Sequence, residues 1–162
     1  MDKDVYSYSK ILAAVDLSKC SVPIIKKAKQ IASQHGATLE VVHVVSMVMP
    51  SFSYSAPSDI QDTIYSEAKE HFIHFCDKYE ISESCRHLFV GSPKQHILHL
   101  IESLTFDLLI VGSHGDHHIF PVRFGSISNS MVGKAKCDVL TVSVDPVTFT
   151  EEIGNNLNEV YA

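Results

Sequence analysis

Residues 106–115 have the sequence Phe-Asp-Leu-Leu-Ile-Val-Gly-Ser-His-Gly, and nine residues later the chain continues with Gly125-Ser126. The apolar run that ends at Val111 predicts a strand, and a helical pattern starts at Ile127. Glycines at such a junction permit positive φ and remove Cβ, so that a ligand can approach the main chain. The first turn of the new helix directs unpaired N–H groups and the positive end of its dipole at the same place. The stretch therefore predicts a phosphate-binding loop between a strand and a helix.

Five short apolar runs, including this one, alternate with four segments of helical periodicity. The runs cover residues 10–16, 38–45, 86–90, 107–111 and 138–144. The first, second and fourth are almost continuously apolar, which is typical of strands that are covered on both faces. Strand–helix alternation predicts right-handed βαβ units, and therefore an α/β fold with an open parallel five-stranded sheet and helices on both faces. With one reversal of winding, the predicted strand order is 3-2-1-4-5.

The helical segments carry signals for where they begin and end. The first runs up to Gly36, which predicts a glycine stop. Capping boxes are predicted at Ser58 and at Ser92, and the second of these has a proline at the first helical position. The last segment places three apolar residues on one predicted helical face: Ile127, Met131 and Ala135.

The predicted topology brings two informative loops together. In a doubly wound sheet the ligand lies at the carboxyl ends of the strands, where the winding reverses. That rule places Asp16, at the end of the first strand, beside Gly112, at the end of the fourth. Two simpler roles stay open, because Asp16 could cap the next helix together with Ser18, and Ser126 could serve only as an N-cap.

Length and composition restrict the remaining possibilities. A chain of 162 residues suits one domain, which we place at residues 1–146, followed by a polar tail at 147–162. A net charge of −6 argues against nucleic acid and anionic membranes as partners. No basic and apolar leader is visible at the start of the sequence, and no run approaches the roughly 20 apolar residues of a membrane span. Together with four widely spaced cysteines, these features predict a cytoplasmic protein.

Histidines near the glycine loop raise the question of a metal site. His114, His117 and His118 lie close together, but a zinc site needs three or four ligands at fixed spacing with supporting partners. We therefore predict no metal site. The phosphate-binding and catalytic motifs of other nucleotide folds and of α/β-hydrolases are absent from the sequence.

The spacing Gly-x2-Gly-x9-Gly-Ser, after a strand and before a helix, resembles the ATP-binding motif of the universal stress protein family. The opening run that ends at Asp16, the second run with His43-Val44, and the entry to the fifth run at Ala135-Lys136-Cys137 are also similar to that family. The resemblance covers roughly residues 8–145. It implies an α/β sandwich of five strands and four helices.

The resemblance also implies roles for single residues. Ala14, Val15 and Asp16 would line the adenine and ribose side, and Val44 would contact adenine, largely through its backbone. Val111, Gly112 and Gly115 would surround the ribose and phosphates. The phosphates would also bind at the helix start, which comprises Gly125, Ser126 and Ile127. Asp116 departs from the pattern, because ATP-binding members often carry a basic residue there and a carboxylate repels phosphate.

The resemblance implies that ATP or a related adenine nucleotide, with or without Mg²⁺, is the ligand. Members usually form homodimers through the fifth strand, here Val139 to Val144, and an exposed last strand needs such a partner. The favoured function is a stress-responsive sensor that works by binding rather than by turnover. Two alternatives stay open: a nucleotide-free dimeric interaction protein, and a slow ATP hydrolase or self-phosphorylating protein with Ser126 or Ser128 as acceptor.

Overall fold

The computed structural model of the chain describes residues 7–46, 58–113 and 126–143. Within these ranges, strands and helices alternate as the sequence predicts. Their bounds, in chain order, are β1 (Lys10–Ala14), α1 (Ser21–His35), β2 (Thr38–Val45), α2 (Ser58–Lys78), β3 (Arg86–Val90), α3 (Pro93–Leu104), β4 (Leu108–Gly112), α4 (Ser126–Met131) and β5 (Asp138–Val142), with a 3-10 turn over Glu83–Cys85 before β3.

The five strands form one parallel sheet in the order β3-β2-β1-β4-β5. The chain first builds outward from β1 through β2 to β3, and then returns to the other side of β1 to add β4 and β5. The winding therefore reverses between β1 and β4. The predicted fold class and the order 3-2-1-4-5 are confirmed.

Each face of the sheet supports its own hydrophobic cluster, because side chains alternate between the two faces along a strand. Ile11 and Ala13 of β1 face α1 and α2 and pack with buried residues of those helices, among them Phe72. Leu12 lies between them on the opposite face, in the cluster that includes Ile101 of α3 and Met131 of α4. The apolar runs of β1, β2 and β4 are thus covered on both sides, as their composition predicts.

Several predicted helix boundaries are confirmed in position. Helix α1 ends at Gly36, which adopts a left-handed conformation (φ 64°) and donates its N–H to the carbonyl of Ala32. Helix α3 begins with Pro93 in its first turn after Ser92, but the Ser92 side chain makes no capping hydrogen bond. The side-chain capping predicted there is therefore wrong, although the start of the helix is right.

The last helix differs from its prediction. Helix α4 ends at Met131, and the following residues form turns up to the start of β5. Ala135 is therefore not helical, yet it still packs against the same cluster as Met131 and Ile127. The apolar spacing identified the side chains that pack in this cluster correctly, because a turn can bring Ala135 against it as well as a helix can.

Other sequence predictions fall outside the described residues. These are the domain boundary near residue 146 and the polar tail at 147–162. None of the helices in the described ranges is both long and apolar enough to cross a membrane.

Candidate functional site

The carboxyl ends of β1 and β4 lie side by side where the winding of the sheet reverses. Ala13 pairs with Ile110, so the two strands finish next to each other, β1 at Ala14 and β4 at Gly112. Ala14 is half-buried, and Val111 is buried. In open α/β sheets, this edge is where ligands bind. The structure thus brings the ends of the first and fourth strands together, as the sequence predicts.

The loop after β1 is held by a compact hydrogen-bond network around Asp16. The Asp16 carboxylate oxygen Oδ1 accepts hydrogen bonds from the Ser18 N–H (3.0 Å), the Ser18 hydroxyl (2.6 Å) and the Ser21 hydroxyl (2.8 Å). The Asp16 N–H in turn donates to Ser21 Oγ at 3.1 Å. Ser21 is fully buried at the start of α1, whereas Asp16 is exposed at the sheet edge. Asp16 therefore shapes the loop in addition to any role toward a ligand, and sequence reasoning missed Ser21.

Strand β2 continues beyond the end of β1. Among the described residues, the last rung between them is the hydrogen bond from Val15 N–H to the carbonyl of Val42, at 3.0 Å. The N–H and C=O groups of a strand residue point to one side, and those of the next residue point to the other side. Because the Val42 carbonyl points toward β1, the N–H and C=O of Val44 point the same way. They lie beyond the last of these rungs.

His43 contacts Val15, the residue that follows β1, with its side chain. Its Nδ1 lies 2.9 Å from the carbonyl oxygen of Val15. A carbonyl oxygen only accepts, so His43 Nδ1 carries the proton. Burial lowers the pKa of His43 below its ordinary value of 6.5, against the opposing effects of the Val15 hydrogen bond and the charge of Asp16. His43 is consequently a neutral imidazole with a defined tautomer at neutral pH.

His43 received no role of its own from the sequence, but a signal was present. It interrupts a run of valines in a strand that is predicted to be covered on both faces. A polar side chain at such a position requires a hydrogen-bond partner. The identity of the partner could not be predicted, because it depends on the register between β1 and β2.

On the β4 side of the crevice, the structure describes the chain up to Ser113 and again from Ser126. Gly112 pairs with Val142 of β5, and the next N–H, that of Ser113, donates to the Val142 carbonyl at 2.7 Å. Ser126 is the first residue of α4, and Ile127 is half-buried against the α3–α4 face of the sheet. The remaining predicted ligand contacts and their neighbours fall outside the described residues: Gly115, Asp116, Gly125 and the histidines at 114, 117 and 118.

One predicted acceptor for phosphate is poorly placed. Ser128 is 1% exposed, so its side chain is buried in the folded chain. The side chain of Ser126 is not among those described. The arrangement of the described residues thus gives no support to self-phosphorylation at Ser128.

Comparison with known proteins identifies the family. The family model described as "Universal stress protein family" matches residues 7–143. Universal stress protein A homolog 1 of Coxiella burnetii is 37% identical over 139 residues, which cover 83% of this chain and 96% of that protein.

Solved structures show the same fold. The universal stress protein UspA from Lactobacillus plantarum superimposes with a TM-score of 0.68 at 24% identity, covering 84% of this chain and 98% of that one. A universal stress protein solved in complex with cAMP has a TM-score of 0.52 at 24% identity, with coverage of 84% and 97%.

Proposed function

Because this chain belongs to the universal stress protein family, we propose that it binds ATP or a related adenine nucleotide at the carboxyl edge of its sheet. The observation that carries the proposal is the position of Val44. Strand alternation directs its N–H and C=O toward the β1 side of β2, beyond the last rung between the two strands, which is Val15 N–H to the Val42 carbonyl. One strand residue thus offers a donor and an acceptor on the same side.

This pair of backbone groups suits adenine. The Watson–Crick edge of adenine presents an acceptor at N1 and a donor at the N6 amino group, so an N–H and a C=O can satisfy both. Guanine presents the reverse, a donor at N1 and an acceptor at O6. A guanine in the same place would leave polar groups unpaired, which costs about 1–3 kcal/mol for each buried group. Val44 therefore favours adenine over guanine.

The phosphates would bind on the side of β4. Gly112 ends this strand and Ser126 begins α4, so they bracket the glycine-rich segment that contains Gly115 and Gly125. Main-chain N–H groups in such a segment bind phosphate without a basic side chain. Val111 and Ile127 would lie next to the ribose and phosphates, with Asp16 on the ribose side. ATP, with or without Mg²⁺, is the proposed ligand, and the cAMP complex of a related fold supports an adenine nucleotide.

Binding rather than turnover would serve a regulatory role. The site and the sheet edge share a hydrogen bond, because Ser113, one residue past Gly112, donates to the Val142 carbonyl of β5. Strand β5 is the last strand of the sheet, with β4 as its neighbour. We propose that it pairs with the same strand of a second copy, over Val139 to Val144, and that the dimer acts as a cytoplasmic stress-responsive sensor. Nucleotide at β4 would then act directly on the strand that forms the dimer.

Ligand release and equilibrium dialysis test the binding proposal. Protein denatured after purification should release an adenine nucleotide that mass spectrometry identifies, or the purified protein should bind ATP in dialysis with Mg²⁺. Gly115→Val should abolish this binding, because a branched side chain blocks approach of the phosphates to the main chain. Circular dichroism would confirm that the variant is folded.

A matched variant controls for added bulk. Ser103→Val places the same side chain on the exposed end of α3, near the opposite edge of the sheet, and should bind ATP as the unaltered protein does. The proposal is wrong if the unaltered protein neither releases nor binds a nucleotide at millimolar ATP. Full affinity in Gly115→Val would show that the phosphates bind elsewhere.

A further inference from the structure

The hydrogen-bond ladder between β1 and β2 ends one rung earlier than the register of the two strands allows. With Ala13 opposite Val41, a parallel ladder alternates a bond from Val15 N–H to the Val42 carbonyl with one from Val44 N–H to the Val15 carbonyl. The first of these bonds is present at 3.0 Å. The Val15 carbonyl, which the second would use, instead accepts a hydrogen bond from His43 Nδ1 at 2.9 Å.

We propose that His43 is a positioning residue for the base of the bound nucleotide. Its imidazole occupies the Val15 carbonyl and thereby leaves the Val44 N–H directed at the crevice, where it meets the ligand. The inference rests on the proposed function, since it concerns the same site. It adds that base selectivity depends on a side chain that does not touch the nucleotide.

The residues around His43 fix the orientation of its imidazole ring. Its ring lies 6.1 Å from the ring of Phe72 on α2, and Val41 on the same strand face is fully buried. The Val15 carbonyl fixes the proton on Nδ1, the ring nitrogen nearest to the backbone of β2. Since an asparagine amide nitrogen can occupy nearly the same place as Nδ1, asparagine is the conservative replacement. A glutamine amide lies one carbon further out, and a leucine offers no donor.

Hydrogen exchange tests the geometric step without any nucleotide. In the unaltered protein, the Val44 amide should exchange readily by NMR, because no rung holds it. In His43→Leu, the Val15 carbonyl becomes available, and the Val44 amide should exchange at least tenfold more slowly as the ladder gains a rung. His43→Asn should keep the fast exchange. Equal exchange rates in the unaltered protein and His43→Leu would overturn the inference, whatever the protein binds.

Nucleotide titration tests the consequence for selectivity. Calorimetry with ATP and GTP should show that His43→Leu weakens ATP binding about tenfold and reduces the preference for ATP over GTP. His43→Asn should restore both to within about threefold, and His43→Gln should not. Should His43→Leu fail to fold, the comparison of asparagine with glutamine decides the matter, because both side chains are polar amides.

A packing control separates positioning from loss of stability. Phe72→Leu removes the aromatic neighbour of His43 but leaves the Val15 contact in place, so it should lower the melting temperature without changing the ATP preference. A change of preference in Phe72→Leu equal to that in His43→Leu would overturn the inference.

If the unaltered protein binds ATP while His43→Leu keeps its affinity and preference, the inference fails and the proposed function stands. If the unaltered protein binds no nucleotide, the proposed function fails, and the exchange experiment alone judges the geometric step.

Discussion

His43 and Glu40 are polar side chains within β2, and each is accommodated because a partner lies within reach. Glu40 is 6% exposed, and its carboxylate lies 3.0 Å from Lys10 Nζ and 2.5 Å from His87 Nε2. His43 instead binds a single backbone carbonyl, that of Val15. At the scale of single residues, the two ends of β2 therefore differ: one holds a charged cluster and the other a neutral imidazole.

The neutral state of His43 makes stability depend on pH. Burial lowers its pKa below 6.5, so at mildly acidic pH the unfolded chain takes up a proton that the folded chain does not. The contribution of neutral His43 to the free energy of unfolding is therefore fully present above pH 6.5, and it is lost as the pH falls through the lower pKa that His43 has in the folded state. We expect the free energy of unfolding to decrease more between about pH 7.5 and about pH 5 in the unaltered protein than in His43→Asn, whose amide does not titrate.

Urea denaturation at a series of pH values measures this difference. The other histidines are common to both proteins, so their effects cancel in the comparison. Asp16 is the charged group whose field reaches His43, and Phe72 covers the ring from α2. Parallel pH profiles for the two proteins would show that His43 is not held in its neutral form.

At the scale of elements, the glycine that ends α1 provides a clean test of backbone conformation. Gly36 has a φ of 64°, and a Cβ added there would meet no atom within 4 Å. The cost of Gly36→Ala is therefore conformational strain alone, which we expect to lower the free energy of unfolding by about 1 kcal/mol. Ser33→Ala, on the exposed side of the same helix, should have no destabilising effect. Chemical denaturation of the two variants checks this, and unchanged stability in Gly36→Ala would contradict it.

Element boundaries were predictable where glycine or proline marks them and were not predictable elsewhere. Gly36 and Pro93 lie at the helix ends that their residue types indicate. Thr105, after α3, and Glu80, after α2, also have positive φ (52° and 56°), but nothing in these residue types signals a left-handed conformation. In those places the tertiary packing of the following segment determines where the helix ends, and a local pattern cannot reveal it.

At the scale of the whole molecule, the order of the strands followed from the alternation of apolar runs and helical segments. That order alone places the ends of β1 and β4 side by side, so the topology is enough to assign Asp16 and Gly112 to one edge of the sheet. The role of His43 could not be predicted in this way. It depends on the register between β1 and β2 and on the rung at which their ladder ends, and many sequences share the same alternation of runs and helices.

The assembly proposed for β5 can be tested through the direction of its backbone groups. Asp138 N–H and the Val142 carbonyl both bond toward β4, at 3.1 and 2.7 Å, so strand alternation directs the N–H of Thr141 away from the sheet. Proline is tolerated in an edge strand when its missing N–H faces outward. Thr141→Pro should therefore leave the sheet folded but remove a donor from the paired edge, and it should convert the dimer into a monomer.

Light scattering coupled to size-exclusion chromatography measures the mass of each variant, and circular dichroism confirms folding. Thr141→Val is the matched control, because it retains the outward N–H and should remain dimeric. A dimer that survives in Thr141→Pro would place the interface away from β5, since a pairing of two edge strands depends on this row of donors and acceptors. A monomeric unaltered protein would remove the dimer from the proposed function, while leaving the nucleotide site at the carboxyl edge to be judged by its own binding experiments.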